Sequence, residues 1–137
     1  AGSSCAFLSK WSPSAFVDMV EATGMTANFM VPTQAASLLT DPVFDPVRLK
    51  SWVKVSFAGA PLPDWVQHEL RARLPDLRIT QIYGQSEMGV IAVLRDWYLP
   101  EKLGSVGRQP YNADVRVVDP QGQDVAVGEL GEVVSPR

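Results

Sequence analysis

Residues 53–87 read VKVSFAGAPLPDWVQHELRARLPDLRITQIYGQSE, and they fix the architecture more firmly than any other part of the chain. Val53 to Phe57 is an apolar run of strand length, and small residues follow it at Ala58, Gly59 and Ala60. A helix is expected from about Pro63. Proline suits a first helical position, Asp64 places a carboxylate in the first turn where the helix dipole favours it, and Val66, Leu70 and Leu74 recur at i, i+4 and i+8 on one face. Pro75 ends it, and Ile79 to Tyr83 reads as the next strand. A strand, a helix and a strand in this order make a βα unit of a parallel sheet.

The same alternation extends upstream. Phe29 to Val31 reads as a strand and Thr33 to Leu39 as a helix, followed by a loop punctuated by Pro42 and Pro46. Earlier still, Cys5 to Leu8 is a short apolar run of strand type. Ser12 is an N-cap and Pro13 the first residue of a helix carrying Phe16, Val17 and Val20 inward, stopped at Thr23 and Gly24. The pattern changes near residue 100. Beyond it the helical period disappears, and Val115, Val117 and Val125 flank a hairpin turn at Asp119 to Gly122. Gly128 and Gly131 mark another turn before Glu132 to Val134. The fold class is therefore α/β, with parallel-sheet βα units to about residue 100 and the start of a β-rich, barrel-like subdomain after it.

Composition narrows the function. A chain of 137 residues is one domain's worth of polypeptide at roughly 100 to 200 residues per domain, or a piece of something larger. With 46% hydrophobic and 20% charged residues it is an ordinary globular composition, without a membrane span, coiled coil, collagen repeat or disorder signature. A net charge of -3 supplies no basic field for a phosphate backbone, so nucleic acid is not an expected partner. The single cysteine, Cys5, builds neither an intrachain disulfide nor a cysteine zinc site, and a reducing cytoplasm is the expected compartment. Ala1 is not an initiator Met and no secretory signal follows it, so the first residue has the look of a cut.

Chemistry is concentrated in Ile82-Tyr83-Gly84-Gln85-Ser86-Glu87, expected at the carboxyl end of a parallel strand, where open α/β sheets bind ligands. It supplies an aromatic face, a glycine for close backbone approach, an amide, a hydroxyl and a carboxylate. A nucleotide with its metal needs such groups. From composition alone the segment is equally a strand-to-loop turn with Tyr83 in the core and Ser86 and Glu87 solvated. Gly59-Ala60-Pro61 presents backbone with little side chain, which suits a flat ligand or a tight βα connection. Gly104-Ser105-Val106-Gly107 is neither a dinucleotide nor a Walker fingerprint and leads into strands, so it reads as a turn. His68 is expected to be solvated, Cys5 to be a buried structural thiol, and Trp11, Trp52, Trp65 and Trp97 to serve packing.

In order and spacing these segments resemble the adenylate-forming superfamily of acyl- and aryl-CoA synthetases, peptide-synthetase adenylation domains and luciferases. Tyr83-Gly84-Gln85-Ser86-Glu87 is similar to the family's Tyr-Gly-x-Thr-Glu motif with the hydroxyl kept, and Phe57-Ala58-Gly59-Ala60-Pro61 resembles its Gly-Gly-Ala-Pro loop. Val31-Pro32-Thr33, Gly104-Ser105-Val106-Gly107-Arg108 and Gly128-Glu129-Leu130-Gly131-Glu132 match three further family segments, so the resemblance covers essentially the whole chain.

The resemblance implies that Tyr83 stacks on adenine with Gly59, Ala60 and Pro61 on its other side, that Ile82, Gly84 and Gln85 belong to the same nucleotide site, that Ser86 contacts the α-phosphate and that Glu87 binds Mg2+. Val31, Pro32, Gln85, Met88 and Gly89 would border the pocket of a small-molecule carboxylic acid. It implies ATP and coenzyme A as co-substrates, with Ser86 and Glu87 as the catalytic pair. It also implies a division at residue 99, the later part of an α/β subdomain to one side and the beginning of a β subdomain, 100–137, to the other. The family's phosphate loop with its Lys, its Thr-Gly-Asp motif and its small C-terminal domain have no counterpart here. The chain is accordingly expected to work only with the remainder of a parent chain and to be inactive alone. Gln85, where peptide-synthetase adenylation domains carry Pro, favours a CoA ligase; the alternatives are such an adenylation domain or a non-catalytic nucleotide-binding module of the same fold.

Overall fold

The computed structural model describes residues 2–98 and 101–135. Three helices and a four-stranded sheet make up the first part: α1 (Pro13–Thr23), β1 (Ala27–Met30), α2 (Pro32–Thr40), β2 (Lys54–Phe57), α3 (Asp64–Arg73), β3 (Arg78–Gln85) and β4 (Gly89–Leu94). A 3-10 turn, Asp96–Tyr98, follows, and β5 (Arg116–Val118) and β6 (Glu132–Val134) form a separate antiparallel pair. The sheet order is β1-β2-β3-β4, with β1, β2 and β3 parallel and β4 antiparallel to β3.

Local chemistry sets the element ends. The Ser12 side chain accepts from the Ala15 N–H at 3.1 Å, and Gly24, in the left-handed region at φ 63°, donates its N–H back to the Val20 carbonyl. At the start of α2 the Val31 N–H donates to Gln34 Oε1 at 3.0 Å, and Pro32 occupies the first turn, where a missing N–H costs nothing. Register then decides what is buried. Met30, Phe57, Gln81 and Leu94 form one row across the four strands, and Asn28, Val55 and Ile79 another. These rows lie against Phe16, Val17 and Val20 of α1, Ala35, Leu38 and Leu39 of α2, and Val66 and Leu70 of α3, all in one core. Trp52, 2% exposed, meets Phe16 edge-on at 5.1 Å and donates its indole N–H to Asn28 Oδ1, so its polar atom is satisfied inside that core. The opposite face of the sheet carries Phe29, 62% exposed.

Several expectations are corrected. Cys5 to Leu8 forms no strand, because nothing pairs with it, and Cys5 is exposed instead of buried. Trp65 and Trp97 are exposed at 46% and 68%, so among the tryptophans only Trp52 is deeply buried. The Asp119 turn forms, its carboxylate accepting from the Gln121 and Gln123 N–H groups, but the ladder partner of β5 is β6 and no closed barrel is present among the described residues. The expected division between residues 99 and 100 falls outside the described residues. No helix among them is long and apolar enough to cross a membrane.

Candidate functional site

A cleft of about 360 Å³ opens at the carboxyl ends of β2 and β3. One wall is the segment leaving β2, with Phe57, Gly59, Ala60, Pro61 and Leu62; the second is β3, with Gln81, Ile82, Tyr83 and Gly84. Tyr83 is 41% exposed. Neither its ring nor its hydroxyl has a partner among the described residues, so the aromatic face is available to a ligand. This is the expected position for a site in an open α/β sheet, reached from the residues themselves.

The segment from Tyr83 to Gly89 is not the strand-to-loop transition expected from sequence. β3 runs on to Gln85 and turns back into β4, pairing Tyr83 with Ala92, Gly84 with Val90 and Gln85 with Gly89. The register shift between Tyr83 and Gly84 leaves Ile91 as an extra residue on β4, a bulge that sharpens the local twist. Gly84 is required for a reason internal to this hairpin: a Cβ there would lie 2.1 Å from the Gly89 carbonyl oxygen. Gln85 Nε2 donates to Met88 Sδ, and the Met88 N–H donates to the Gln85 carbonyl, closing the turn around Ser86 and Glu87. Both of these side chains are exposed, and among the described residues neither has a hydrogen-bond or ion-pair partner. Gln85, Ser86, Glu87, Met88 and Gly89 therefore stand on the hairpin tip beyond the β3 wall and are not part of the cleft lining. Val31 lies beside the first wall, its Cγ1 at 3.5 Å from where a Cβ on Gly59 would be, whereas Pro32 is buried in the first turn of α2.

Two contributors escaped the sequence reading. Gly104, Ser105 and Val106 form the third wall of the cleft. They are held there by a bridge in which Val93 N–H donates to the Arg108 carbonyl at 2.8 Å and Arg108 N–H returns to the Val93 carbonyl at 3.1 Å. Gly107 permits this approach: at φ 89° it is in the left-handed region, and a Cβ would sit 2.1 Å from the Val93 oxygen. The signal was present in the glycine spacing, which reads as a turn until its strand partner is known. The second is Gln81, whose buried Nε2 has no hydrogen-bond partner among the described residues while its residue lines the cleft. An unmet buried donor costs about 1 to 3 kcal/mol, and a ligand acceptor in the cleft would recover part of it.

The donor set bears on magnesium. Among the described residues no three His, Cys, Asp or Glu side chains gather into a metal cluster. Glu87 offers one free carboxylate on an exposed tip, which fits a cation held by one protein ligand together with substrate phosphates, and does not fit a self-sufficient cage. Two arginines elsewhere are held in ion pairs. Arg48 donates to Glu21 at 2.8 Å and Asp18 at 2.6 Å, and these bonds raise its pKa; Arg116 is likewise raised by its bond to Asp124.

Known proteins align with this geometry. The profile of the AMP-binding enzyme family matches residues 1–135. A feruloyl-CoA synthase from Amycolatopsis sp is 33% identical over 129 residues, covering 92% of this chain and 26% of the relative. Among solved structures, the amide bond synthetase McbA from Marinactinospora thermotolerans superposes with a TM-score of 0.80 at 29% identity, over 92% of this chain and 26% of that one. The O-succinylbenzoate coenzyme A synthetase of Bacillus subtilis, in complex with ATP and magnesium ion, gives a TM-score of 0.77 at 26% identity, over 90% and 25%. The chain thus spans about a quarter of the length of the proteins it matches.

Proposed function

Because this chain belongs to the AMP-binding enzyme family of adenylate-forming enzymes, we propose that its cleft is the nucleotide half of a carboxylate-activating site in an ATP-dependent acyl- or aryl-CoA ligase. The observation that carries the reading is the exposed Tyr83 ring on β3 facing the Gly59-Ala60-Pro61 wall across one cleft. A purine fits between an aromatic face and a backbone wall without side chains to displace.

In the proposed reaction a carboxylate oxygen of the acid attacks the α-phosphorus of ATP. The bond to the bridging oxygen breaks, and pyrophosphate leaves an acyl adenylate. The thiol of coenzyme A then attacks the acyl carbonyl, AMP departs with the bonding electron pair, and the thiol proton is lost. Tyr83 stacks on adenine, Gly59, Ala60, Pro61, Ile82 and Gly84 shape its slot, and Gln85 meets the nucleotide from the hairpin tip beyond it. Ser86 donates its hydroxyl to an α-phosphate oxygen, so that positioning and charge stabilisation supply the rate. Glu87 is the residue that would hold Mg2+, which when bound neutralises phosphate charge. Val31, Pro32, Gln85, Met88 and Gly89 border the acid, Pro32 from its buried place in the first turn of α2. Residues 1–99 and 100–137 are proposed as parts of the α/β and β subdomains, completed by the remainder of the parent chain, in the cytoplasm. The likeness to an amide bond synthetase favours, as a second reading, an amine in place of the thiol.

The test is Glu87→Gln in the intact protein, which keeps shape and removes charge. Single-turnover adenylate formation should slow about tenfold for each 1.4 kcal/mol of lost transition-state stabilisation and recover in part as magnesium rises. Equal rates at every magnesium concentration would remove Glu87 from the metal.

A further inference from the structure

After Leu94 the chain leaves the sheet on an excursion that returns as the third wall of the cleft, and it is fastened at both ends. The far fastening is the two-bond bridge between Val93 and Arg108 that Gly107 permits. The near one is a side chain. Gln81 pairs with Leu94, so carrying the antiparallel register two residues further on each strand would set Ile79 opposite Asp96. The backbone has left the ladder by then, because Asp96 opens the 3-10 turn Asp96–Tyr98. Asp96 Oδ1 accepts the Ile79 N–H in place of a backbone carbonyl, at 3.1 Å. Ile79 has no exposed surface, so its N–H needs such a partner.

The same oxygen accepts from Arg71 at 2.6 Å. One atom therefore joins the last turn of α3, the start of β3 and the turn after β4. Both bonds go to an ionised acceptor, which makes them roughly twice as strong as neutral ones. From this anchor the excursion is held by short links. The Lys102 N–H donates to the Tyr98 carbonyl at 3.1 Å, the Ser105 N–H to the Lys102 carbonyl at 3.0 Å, and the Gly107 N–H to Ser105 Oγ at 3.0 Å. Tyr98 and Leu103 pack against the core, and the Arg108 guanidinium carbon lies over the Tyr98 ring, 5.4 Å from its centroid, linking the near turn to the far bridge. Gly104, Ser105 and Val106 are themselves exposed, so their place beside the cleft depends on the links to either side.

We infer that Asp96 is a positioning residue of the cleft: through Arg71 and the Ile79 N–H it sets where the excursion starts, and so where Gly104, Ser105 and Val106 stand against a bound nucleotide. Asp96 is not in the cleft lining and acts only through that wall. The inference rests on the reading of the cleft as a nucleotide site.

Three variants of the intact protein test it. Asp96→Ala removes the acceptor, Asp96→Asn keeps an oxygen in its place, and Arg71→Met removes the cation and leaves the Ile79 bond. Each is followed by amide hydrogen exchange without ligand and by titration with a non-hydrolysable ATP analogue at matched folded fraction. In Asp96→Ala the Ser105, Gly107 and Arg108 N–H groups should exchange about tenfold faster relative to those of Val55 and Phe57 in β2, and the analogue should bind on the order of tenfold more weakly. Asp96→Asn should restore most of both. Arg71→Met should lie between, and it carries the test alone if the Ala variant does not fold. A side chain that merely ends the sheet would speed exchange at Ile79 and leave both the third wall and the affinity unchanged, which would overturn the inference. Unchanged affinity in Asp96→Ala beside a loss in Tyr83→Ala would overturn it and keep the cleft. Failure of the folded, unsubstituted protein to bind the analogue would instead refute the cleft reading, and the inference with it.

Discussion

Replacing Tyr83 by Ala removes the ring that forms one side of the cleft and leaves the backbone of β3 in place. If adenine stacks there as bases stack on aromatic side chains, about 1 to 3 kcal/mol of binding is lost, which is about 5-fold to about 140-fold in the ATP dissociation constant. The cost to folding should be small by comparison. Tyr83 is 41% exposed and faces Ala92 across the hairpin, so it forfeits one cross-strand pair, about 0.2 to 1 kcal/mol. Its hydroxyl has no partner among the described residues, so Tyr83→Phe should keep nearly all the affinity. Titration of the intact protein with a non-hydrolysable ATP analogue, beside melting curves of both variants, separates the two roles. An Ala variant that melts normally and binds the analogue as tightly as the parent would show that Tyr83 is a hairpin residue and nothing more.

Gln81→Met keeps the bulk of the side chain and removes the unpaired donor; we expect the analogue to bind about fivefold more weakly, for about 1 kcal/mol of lost hydrogen bonding, with melting unchanged or raised. Calorimetry beside a melt checks both halves, and unchanged affinity would mean that the amide serves no ligand. Gly107→Ala must strain a residue at φ 89° and push a methyl group against the Val93 carbonyl, so a loss of at least about 1 to 2 kcal/mol in stability is expected. The third wall should shift with it and weaken the analogue; urea melts and binding at matched folded fraction would show whether the two losses travel together.

The βα order was legible because each helix there carries its own local signals. Ser12 and Gly24 bound α1, and Val66, Leu70 and Leu74 mark the inward face of α3, so period and caps sufficed without tertiary information. β4 was not foreseen. Gly89 to Leu94 is a continuous apolar run that shows no alternation, and only its pairing with β3 distinguishes it from loop or helix. The consequence for the site was direct: Tyr83 to Glu87 reads as a loop in sequence but is a strand end and a hairpin tip. Gly84 was correctly singled out as a point of close approach, yet the approaching group is the protein's own Gly89 carbonyl. Long-range placement was hidden in the same way. Nothing local to residues 104–106 says that they return to β3, because the anchor is a two-bond bridge between Val93 and Arg108.

Carboxylate-dependent exchange of labelled pyrophosphate into ATP by the intact protein measures the proposed chemistry at its first step, without needing the thiol acceptor to be known. With a panel of aryl and aliphatic acids, at least one acid should support exchange that needs magnesium and falls in the Tyr83→Ala and Glu87→Gln variants. No exchange with any acid, from a folded protein that binds ATP, would contradict the assignment of this cleft to carboxylate activation.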